Sequence, residues 1–436
     1  MNILAIDVGT STIKAALLDQ ASAEPIGPIA RQGYRLASPQ PEAAEVAADE
    51  LLAAIGRAVR QALADGHLPV AGIGLSCLTP CLCLLDVHDR PLAPFRIHAD
   101  RRSRPIARRV QAEMGEEFLA IVGNRPLPGG ISVLSFAQLI DEQPDLRRQV
   151  RRYLHANGWL GLHLTGETAF DPANACFSGL CATFEDSGWS PWLCDYFGVE
   201  RDWLPAIRCG SETLGGLRPA VAAEWGLPPG IPVKLGTADT SSAMLAVRLA
   251  PGELLHVVGT TQVLGVIAPQ PQPDPRRLTR RLGVGPDYVY VTHNPVGGVA
   301  LTWLRELCYR EQTSSEFFEQ TVPAVIDRPT WVRLDPPFLG GDRLNIEAHR
   351  ASLCELTLDT TRDDLLAAVL QAMRRGHADA VEALGNARPR AGARIVLTGG
   401  GLSLVRRLIG EYATATIVEL EEGSLRGCAR LFDPSR

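Results

Sequence analysis

The chain has 436 residues, of which 46% are hydrophobic and 21% charged, and its formal net charge is −6. A chain of this length exceeds one ordinary hydrophobic core, so we expect two domains of roughly 200 residues each. The acidic net charge provides no basic field for nucleic acid or for an anionic membrane surface, and we expect neither as a partner.

Cysteine usage and the chain start indicate a cytoplasmic protein. The ten cysteines are scattered and no CxxC pair occurs, which favours buried free thiols over a zinc site or a disulfide framework. The first residues lack a charged leader with an apolar block, and no apolar run reaches about 18 residues. We therefore expect a reducing cytosol and no membrane-spanning segment.

The first predicted element is a strand, a tight turn and a second strand within residues 2–19. The turn between them contains small and hydroxyl residues: Gly9, Thr10, Ser11 and Thr12. Backbone N–H groups and hydroxyls in such a turn can bind phosphate, and Lys14 adds a positive charge. A carboxylate repels phosphate, so Asp7 fits best as a ligand of a Mg²⁺ ion between the two. The alternative is a plain hairpin with a capped turn.

The next elements are predicted from hydrophobic periodicity. Residues 42–65 are rich in alanine and leucine at helical spacing, and two strands flank the turn at Thr79-Pro80. Residues 102–140 are mostly helical in pattern, with a break at 123–130. Residues 171–202 are rich in tryptophan, and we expect an irregular segment there.

A division between domains is predicted near residue 230. Glycine and proline crowd together at 226–232 before a new apolar strand, which gives domains of 1–229 and 230–436. The second half contains another strand-turn-strand at 252–268. A long helix at 361–385 and a strand at 393–401, followed by a helix, complete the pattern.

The two strand-turn-strand segments resemble each other. Aligning Gly9 with Gly259 sets GTST against GTTQ, and Val257 then stands where Asp7 stood. The second turn, which includes Thr260 and Thr261, therefore offers N–H groups and hydroxyls without a metal ligand. One copy in each half favours a duplicated domain, although short hairpins also repeat by chance.

Two further segments carry candidate chemistry. Asp239 follows an apolar strand, and a carboxylate near two phosphate turns can accept a proton from a sugar hydroxyl that attacks a γ-phosphate. The alternative is that Asp239 caps a helix N-terminus. At 397–403 a strand leads into three glycines, of which Gly400 and Gly401 would let backbone approach a bulky ligand closely.

Together these segments resemble the FGGY carbohydrate kinases in order and spacing over nearly the whole chain. The matching stretches in this sequence are IDVGTSTIKAALLD, IGLSCLTPCLCLLD, HADRRS, LTGETAFDPANACFSGL, LPPGIPVKLGTADTSSA, PGELLHVVGTTQVLG, GGVALTWLREL and LTGGGLS. The resemblance implies an α/β fold of two actin-like, ribonuclease H-like domains with a nucleotide cleft between them. It implies ATP-dependent phosphorylation of a sugar hydroxyl, with ATP and Mg²⁺ as cofactors and a small-molecule sugar as the partner.

The resemblance also implies roles for single residues. Asp239 resembles the catalytic base and a metal partner, and Asp7 the Mg²⁺ ligand. The residues implied for ATP are Thr10, Ser11, Thr12, Lys14, Gly259, Thr260 and Thr261 at the phosphates, and Gly298, Thr302, Gly400 and Gly401 at the adenosine. Those implied for the sugar are Thr79, Asp100, Asp239 and Thr240. Two carboxylates among the sugar residues favour a neutral polyhydroxy chain over a sugar acid, so we rank a small ketose such as xylulose or ribulose first.

Departures from the family pattern leave alternatives open. Thr79-Pro80 stands where xylulose-type members carry Met-His and glycerol-type members Arg-Glu, and His98 replaces a tryptophan. One alternative is therefore a catalytically weak sensor that binds ATP and sugar, although retention of both Asp7 and Asp239 argues against it. A chaperone-like ATPase or an acetate-type kinase fits the order of segments less well. The sequence leaves a homodimer open.

Overall fold

The structure is a computed structural model that describes residues 1–64, 69–185, 188–259, 261–337, 344–400 and 402–433. The strands, in chain order, are β1 Asn2–Val8, β2 Thr12–Asp19, β3 Ala30–Gly33, β4 Glu45–Val46, β5 Val70–Cys77, β6 Cys81–Leu85, β7 Phe95–Ile97, β8 Arg152–Leu154, β9 Thr213–Gly216, β10 Pro232–Lys234, β11 Thr237–Ala238, β12 Leu254–Val258, β13 Gln262–Ala268, β14 Leu278–Arg281, β15 Tyr288–Asn294, β16 Arg333–Asp335, β17 Ser352–Cys354, β18 Arg394–Gly399 and β19 Thr416–Leu420.

The α-helices, in chain order, are α1 Ala48–Ala62, α2 Arg104–Val122, α3 Ser132–Glu142, α4 Ala156–Thr165, α5 Pro172–Ser178, α6 Pro191–Phe197, α7 Pro219–Trp225, α8 Asp239–Ala246, α9 Gly298–Cys308, α10 Ser314–Glu316, α11 Val322–Val325, α12 Arg362–Ala383, α13 Leu402–Leu408 and α14 Gly423–Arg430. A π-helical turn at Phe317–Thr321 joins α10 to α11. In the described part of the chain, no helix is long and apolar enough to cross a membrane.

Two large sheets organise the chain. Within the described ranges the first sheet has seven strands in the order β3-β2-β1-β5-β10-β9, and β11 also pairs with β5. The second sheet has six strands in the order β14-β15-β13-β12-β18-β19. A smaller four-stranded sheet, β4-β7-β6-β8, lies beside the first. β5 and β6, predicted to flank the Thr79-Pro80 turn, therefore belong to different sheets.

The two hairpins occupy equivalent places in the two large sheets. β1 pairs antiparallel with β2 and parallel with β5, and β12 pairs antiparallel with β13 and parallel with β18. Both central strands are largely buried because they carry continuous apolar runs. The pairing that the sequence predicted from Gly9 and Gly259 is therefore also present in the strand topology.

The change from one sheet to the other comes later than expected. A division at 229/230 would assign β10 and β11 to the second domain, yet both pair with β5 of the first sheet. The second sheet begins only with Leu254. The glycine- and proline-rich segment is thus a turn between α7 and β10, and α8 and the loop after it connect the two sheets.

The helices predicted from periodicity are present, with shorter ends: α1 lies within 42–65 and α12 within 361–385. The prediction of an irregular segment at 171–202 is wrong, because these residues contain α5 and α6. Asp171 caps α5 by accepting from the N–H groups of Ala173 and Asn174, and Ser190 caps α6. Both helices end at a glycine with positive φ, so local capping offsets their short length.

Candidate active site

The first turn follows β1, whose penultimate residue is a buried carboxylate. Asp7 is 3% exposed, and its two carboxylate oxygens accept hydrogen bonds from the hydroxyls of Ser76 (2.8 Å) and Ser424 (2.6 Å). The Gly9 N–H closes the turn by donating to the Thr12 carbonyl at 3.1 Å. A Cβ at Gly9 would lie 2.9 Å from that same carbonyl, so the turn is closed tightly around a residue without a side chain.

The second turn has the same closure and touches the start of a helix. The Gly259 N–H donates to the Thr261 carbonyl at 3.1 Å, and the Gly259 carbonyl accepts from the N–H of Gly298 at 3.1 Å. A Cβ at Gly298 would lie 3.0 Å from that carbonyl. The Thr302 hydroxyl bonds to the Gly298 carbonyl one turn further along α9. Gly298 therefore supports the second turn through its N–H, and Thr302 supports Gly298 through its hydroxyl.

Residues of both turns line one cavity of about 260 Å³, which we call the central cavity. The members predicted from the sequence are Thr10, Thr79, Asp239, Thr240, Gly259 and Thr261. Its other polar members are His98, Arg101, Arg280 and His293. The structure therefore brings together residues that lie more than 200 positions apart in the chain.

A second space of about 580 Å³, which we call the Lys14 cavity, adjoins the first. It is lined by Lys14, Thr398, Gly399, Glu422 and Ser424, among others. Asp239 and Thr240 line both cavities. A third cavity of about 570 Å³, beside Trp189 and Arg208, contains none of the predicted residues.

Asp239 begins α8 rather than capping it. The cap position is Ala238, whose φ and ψ are extended, and Asp239 is the first helical residue. Its Oδ1 accepts from the Thr240 N–H at 2.6 Å and from the Thr240 hydroxyl at 3.1 Å. Within the described residues no hydrogen bond is recorded for Oδ2. One carboxylate oxygen is thus held by the backbone while the other is left for a ligand.

The surroundings of Asp7 suit a hard cation. Burial raises the pKa of Asp7 above its ordinary value, and the nearby negative charge of Asp239 raises it further, while Ser424, Lys14 and Ser76 lower it. Two neighbouring carboxylates with hydroxyl oxygens around them match the oxygen donors that Mg²⁺ prefers. The described residues hold no cluster of three or more His, Cys, Asp or Glu side chains, so a cation here would depend on water and phosphate oxygens as well.

Lys14 lies next to Asp7 in the hairpin but is already paired. The two residues face each other across β1 and β2, and the Lys14 ammonium forms an ion pair with Glu422 at 2.7 Å. Arg31 also pairs with Glu422. Glu422 thus holds both cations at the edge of the Lys14 cavity, where they face the same space as Asp239.

A buried polar network fixes Thr79 and the strand before Asp239. The Thr79 hydroxyl donates to the Asn174 Oδ1 at 2.6 Å, and the Asn174 amide donates to Asp171 at 2.6 Å. Asp171 also accepts from the Thr237 hydroxyl at 2.7 Å. The network links Thr79, which lines the central cavity, to Thr237, which lies two residues before Asp239.

Asp100 lies elsewhere than the sequence analysis expected. It is fully buried, and its carboxylate accepts from the Ala44 N–H and from the backbone and guanidinium of Arg102. It lines neither cavity. The reason is Arg102, two residues further along the chain, whose guanidinium donates to the Asp100 carboxylate. The carboxylate is used internally to hold the loop that carries His98 and Arg101.

The remaining predicted residues have more varied positions. Ser11, Thr12, Gly298 and Thr302 line neither cavity, although all belong to the two turns or brace them. Gly400 follows Gly399 at the end of β18, and a Cβ there would meet nothing within 4 Å. Thr260 and Gly401 lie outside the described residues.

Two functional candidates were missed from the sequence. Arg280 is 1% exposed and lines the central cavity. Its signal is the alternation Leu278, Arg280, Leu282, which places a cation on the buried face of a strand. Ser424, which bonds to Asp7, carries no local signal because the two residues are 417 positions apart.

The family is established by comparison with known proteins. Residues 2–246 match the N-terminal domain of the FGGY family of carbohydrate kinases. This match covers more than half of the chain. The chain therefore belongs to the FGGY family of carbohydrate kinases.

Relatives within the family differ in the substrate they are named for. The chain is 26% identical to a xylulose kinase of Lactococcus lactis over 276 residues, which is 62% of this chain and 54% of that enzyme. It is 23% identical to a gluconokinase of Bacillus subtilis over 400 residues, 85% of this chain and 74% of that enzyme. The match to the xylulose kinase thus spans about half of that relative's length.

The fold is shared over nearly the whole chain. A xylulose kinase from Lactobacillus acidophilus superimposes with a TM-score of 0.88 at 20% identity, covering 99% of this chain and 88% of that one. The predicted α/β fold with two actin-like domains is therefore confirmed.

Proposed function

We propose that the protein transfers the γ-phosphoryl group of ATP to a hydroxyl of a small polyhydroxy acceptor. The observation that carries this proposal is the position of Asp239, which lines both the central cavity and the Lys14 cavity. A base at the boundary between two cavities can contact an acceptor on one side and a phosphate donor on the other. Family membership supports the same reaction class.

In this proposal Asp239 accepts the proton of the attacking hydroxyl. The Thr240 N–H holds Oδ1, which leaves Oδ2 to receive that proton. Phosphoryl transfer passes through a loose transition state, so positioning and charge stabilisation contribute most of the rate. The base orients the hydroxyl and takes its proton late. Thr79 and Thr240, which also line the central cavity, would hold the other hydroxyls of the acceptor.

The two turns would bind the phosphates. Thr10, Gly259 and Thr261 line the central cavity, and we assign Ser11, Thr12 and Thr260 to the same phosphate site by their place in the turns. Lys14 would add positive charge from the Lys14 cavity. Backbone N–H groups in such turns stabilise negative charge without a bulky side chain that blocks approach.

Asp7 and Asp239 would hold a Mg²⁺ ion, which would supply positive charge to neutralise the transferred phosphate. Ser76 and Ser424 orient the Asp7 carboxylate for this role. We place the adenosine towards Gly298, Thr302, Gly400 and Gly401. Their glycines leave room for backbone to approach a flat ring.

The class of acceptor needs a separate argument. The sequence ranked a small neutral ketose such as xylulose or ribulose first, because two carboxylates were expected in the sugar pocket. Asp100 pairs with Arg102 and lies outside the central cavity, so only Asp239 supplies negative charge there. The electrostatic reason for a neutral acceptor is thereby removed.

The proposal is tested by Asp239→Asn. We expect kcat to fall by about 10²–10⁴-fold, the usual contribution of a general base, while the KM values for ATP and acceptor change little. The measurement is ADP release in the presence of Mg²⁺ and a panel of ketoses, polyols and sugar acids. Asn keeps the size of Asp, and its carbonyl oxygen can still accept from the N–H and hydroxyl of Thr240.

The matched control is Asp195→Asn, which changes an exposed carboxylate on α6. It should leave kcat and KM unchanged. A near-normal kcat in Asp239→Asn with the best acceptor would show that Asp239 is structural. Loss of acceptor binding without loss of kcat would assign it to recognition alone.

A further inference from the structure

Arg280 is a buried cation whose protein contacts use only part of its guanidinium. It lies on β14 with 1% of its surface exposed. Its Nη1 donates to the Ser241 hydroxyl at 2.6 Å and to the Arg281 carbonyl at 3.1 Å. Nε has no hydrogen-bond partner, and none is recorded for Nη2 within the described residues. The Nε–Nη2 edge is the one that binds a planar anion through two parallel hydrogen bonds.

This guanidinium has no carboxylate partner in the described part of the chain. The nearest ring is Phe177, whose centroid is 5.4 Å from the guanidinium carbon. Asp239 and Asp171 raise the pKa of Arg280 at a distance, but burial dominates and lowers it to about 10. A buried charge without an ion pair costs stability, and arginine is the cation that proteins use to bind carboxylate and phosphate at such sites.

The charges that line the central cavity are mostly positive. Among its described lining residues, Arg280 and Arg101 are the cations and Asp239 is the one carboxylate. Arg101 is held by the carbonyls of His98 and Pro128, so its position is set by the backbone. His98 and His293 complete the titratable lining. A cavity of about 260 Å³ is large enough for one small acceptor but not for a nucleotide as well.

We propose that Arg280 binds an anionic group of the acceptor, so that the substrate is a small polyhydroxy compound carrying a carboxylate or a phosphate ester. This inference rests on the proposed function for the identity of the cavity. Ser241 acts as a positioning residue, because its hydroxyl fixes Nη1, and Nε on the opposite edge has no hydrogen-bond partner among the described residues. Asp239 would then meet a hydroxyl of an acceptor whose charge is held by Arg280.

Two other roles for Arg280 predict different kinetics. If it stabilised the transferred phosphoryl group, its loss would lower kcat for every acceptor. If it only balanced the charge of Asp171 and Asp239, its loss would lower stability without discriminating between acceptors. Recognition of an anionic acceptor instead predicts a rise in KM that is confined to charged acceptors.

The experiment compares Arg280→Met with wild type on three acceptors: D-gluconate for a carboxylate, ribulose 5-phosphate for a phosphate ester, and xylulose as the neutral reference. We expect wild type to use one anionic acceptor with a kcat/KM at least about tenfold above that for xylulose. Arg280→Met should lower this preference by roughly 10- to 100-fold through KM, with the KM for ATP unchanged. Arg280→Lys keeps the charge without the planar fork and should fall between the two.

Arg281→Met is the matched control, because Arg281 is the next residue on β14 and its guanidinium donates to the carbonyls of Thr183 and Glu185 instead. It should retain the preference. Ser241→Ala keeps Arg280 and should give a smaller loss, which preserves the test if Arg280→Met does not fold. Better use of xylulose than of both anions by wild type, or an equal loss of kcat for all acceptors in Arg280→Met, would overturn the inference.

A binding measurement separates this inference from the proposed function. The shift in Tm caused by D-gluconate or ribulose 5-phosphate needs no turnover. If no acceptor is phosphorylated but one anion raises the Tm of wild type and not of Arg280→Met, the inference holds and the kinase proposal fails. If neither anion raises the Tm of wild type, the inference fails whatever the activity.

Discussion

At the scale of single residues, Asp7 shows why a folding unit ends its first strand on a charge. The side chain is 3% exposed, and both oxygens are bonded to serine hydroxyls. Hydroxyl donors satisfy the oxygens but supply no positive charge. The ionised form is therefore costly in the free protein, and it becomes favourable when a cation is bound.

We predict that Asp7→Asn stabilises the protein without metal and removes its response to Mg²⁺. Burial raises the folded-state pKa of Asp7, so the folded state loses stability as the pH rises from the unfolded value through that raised pKa. At neutral pH the wild-type protein therefore carries this loss of stability, whereas the Asp7→Asn protein does not, because an amide does not ionise. The measurement is Tm with and without Mg²⁺ and nucleotide, for both proteins.

The control is a substitution at Ser22, an exposed residue in the turn between β2 and β3. Ser22→Ala should keep the wild-type response of Tm to Mg²⁺. An Asp7→Asn protein whose Tm still rises with Mg²⁺ as in wild type would show that the cation binds elsewhere.

Residue roles could be predicted from the sequence where they follow from local pattern. Asp7 and Asp239 lie where apolar strands meet small-residue turns; Asp239 lines both cavities, and Asp7 is bonded to Ser424, which lines the Lys14 cavity. Asp100 could not be placed, because its position depends on whether Arg102 folds back onto it. The bond from Ser424 to Asp7 joins the two ends of the chain, and no local pattern encodes it.

At the scale of elements, α14 supports both Asp7 and Asp239 from near the end of the chain. It packs against α8, which begins with Asp239, and against β1, which carries Asp7. Contact is close because Gly427 lacks a side chain: a Cβ there would lie 2.0 Å from the Ser242 carbonyl. The last helix thus returns to the first sheet and holds both carboxylates in register.

We predict that Gly427→Ala destabilises the protein and lowers kcat. Alanine in a helix interior is normally favoured over glycine by about 0.5–1 kcal/mol, so propensity alone predicts stabilisation. The added methyl group should instead push α14 away from α8, which costs about 1–3 kcal/mol of stability and displaces Asp239. The measurement is urea unfolding together with ADP release.

Gly410→Ala is the control, since a Cβ at Gly410 would meet nothing within 4 Å. Gly410→Ala should change neither the free energy of unfolding nor kcat. A Gly427→Ala protein that is as stable and active as wild type would show that α14 can move without disturbing the site.

Helices and strands could be predicted from the sequence where their hydrophobic pattern is long, as for α12 and the two hairpins. The short helices α5 and α6 were missed, because they depend on caps at Asp171 and Ser190 rather than on a repeating apolar face. The cap residues are visible in the sequence, but the tryptophan-rich segment shows no repeating apolar pattern and therefore predicts irregular structure.

At the scale of the whole molecule, the two large sheets bring their hairpin turns to one cavity. The duplication could be predicted from the GTST and GTTQ turns. The division between domains could not be placed correctly, since a glycine- and proline-rich turn can end a strand inside a domain as well as separate domains. Only pairing with β5 shows that β10 and β11 belong to the first sheet.

This arrangement predicts that phosphoryl transfer depends on the acceptor. Turns from both sheets line the central cavity, so an acceptor held there contacts both halves and excludes water from the donor. ATP hydrolysis without acceptor should therefore be slow, because a complete site forms only when both cavities are filled.

The most direct test is to incubate the wild-type protein with ATP, Mg²⁺ and each acceptor, and to quantify ADP and phosphorylated acceptor together by mass spectrometry. We predict that one acceptor greatly accelerates ADP formation, with one phosphorylated acceptor made for each ADP, and that Asp239→Asn slows both by about 10²–10⁴-fold. Equal ADP formation with and without every acceptor, and no phosphorylated product, would contradict the assignment of the two cavities to acceptor and donor.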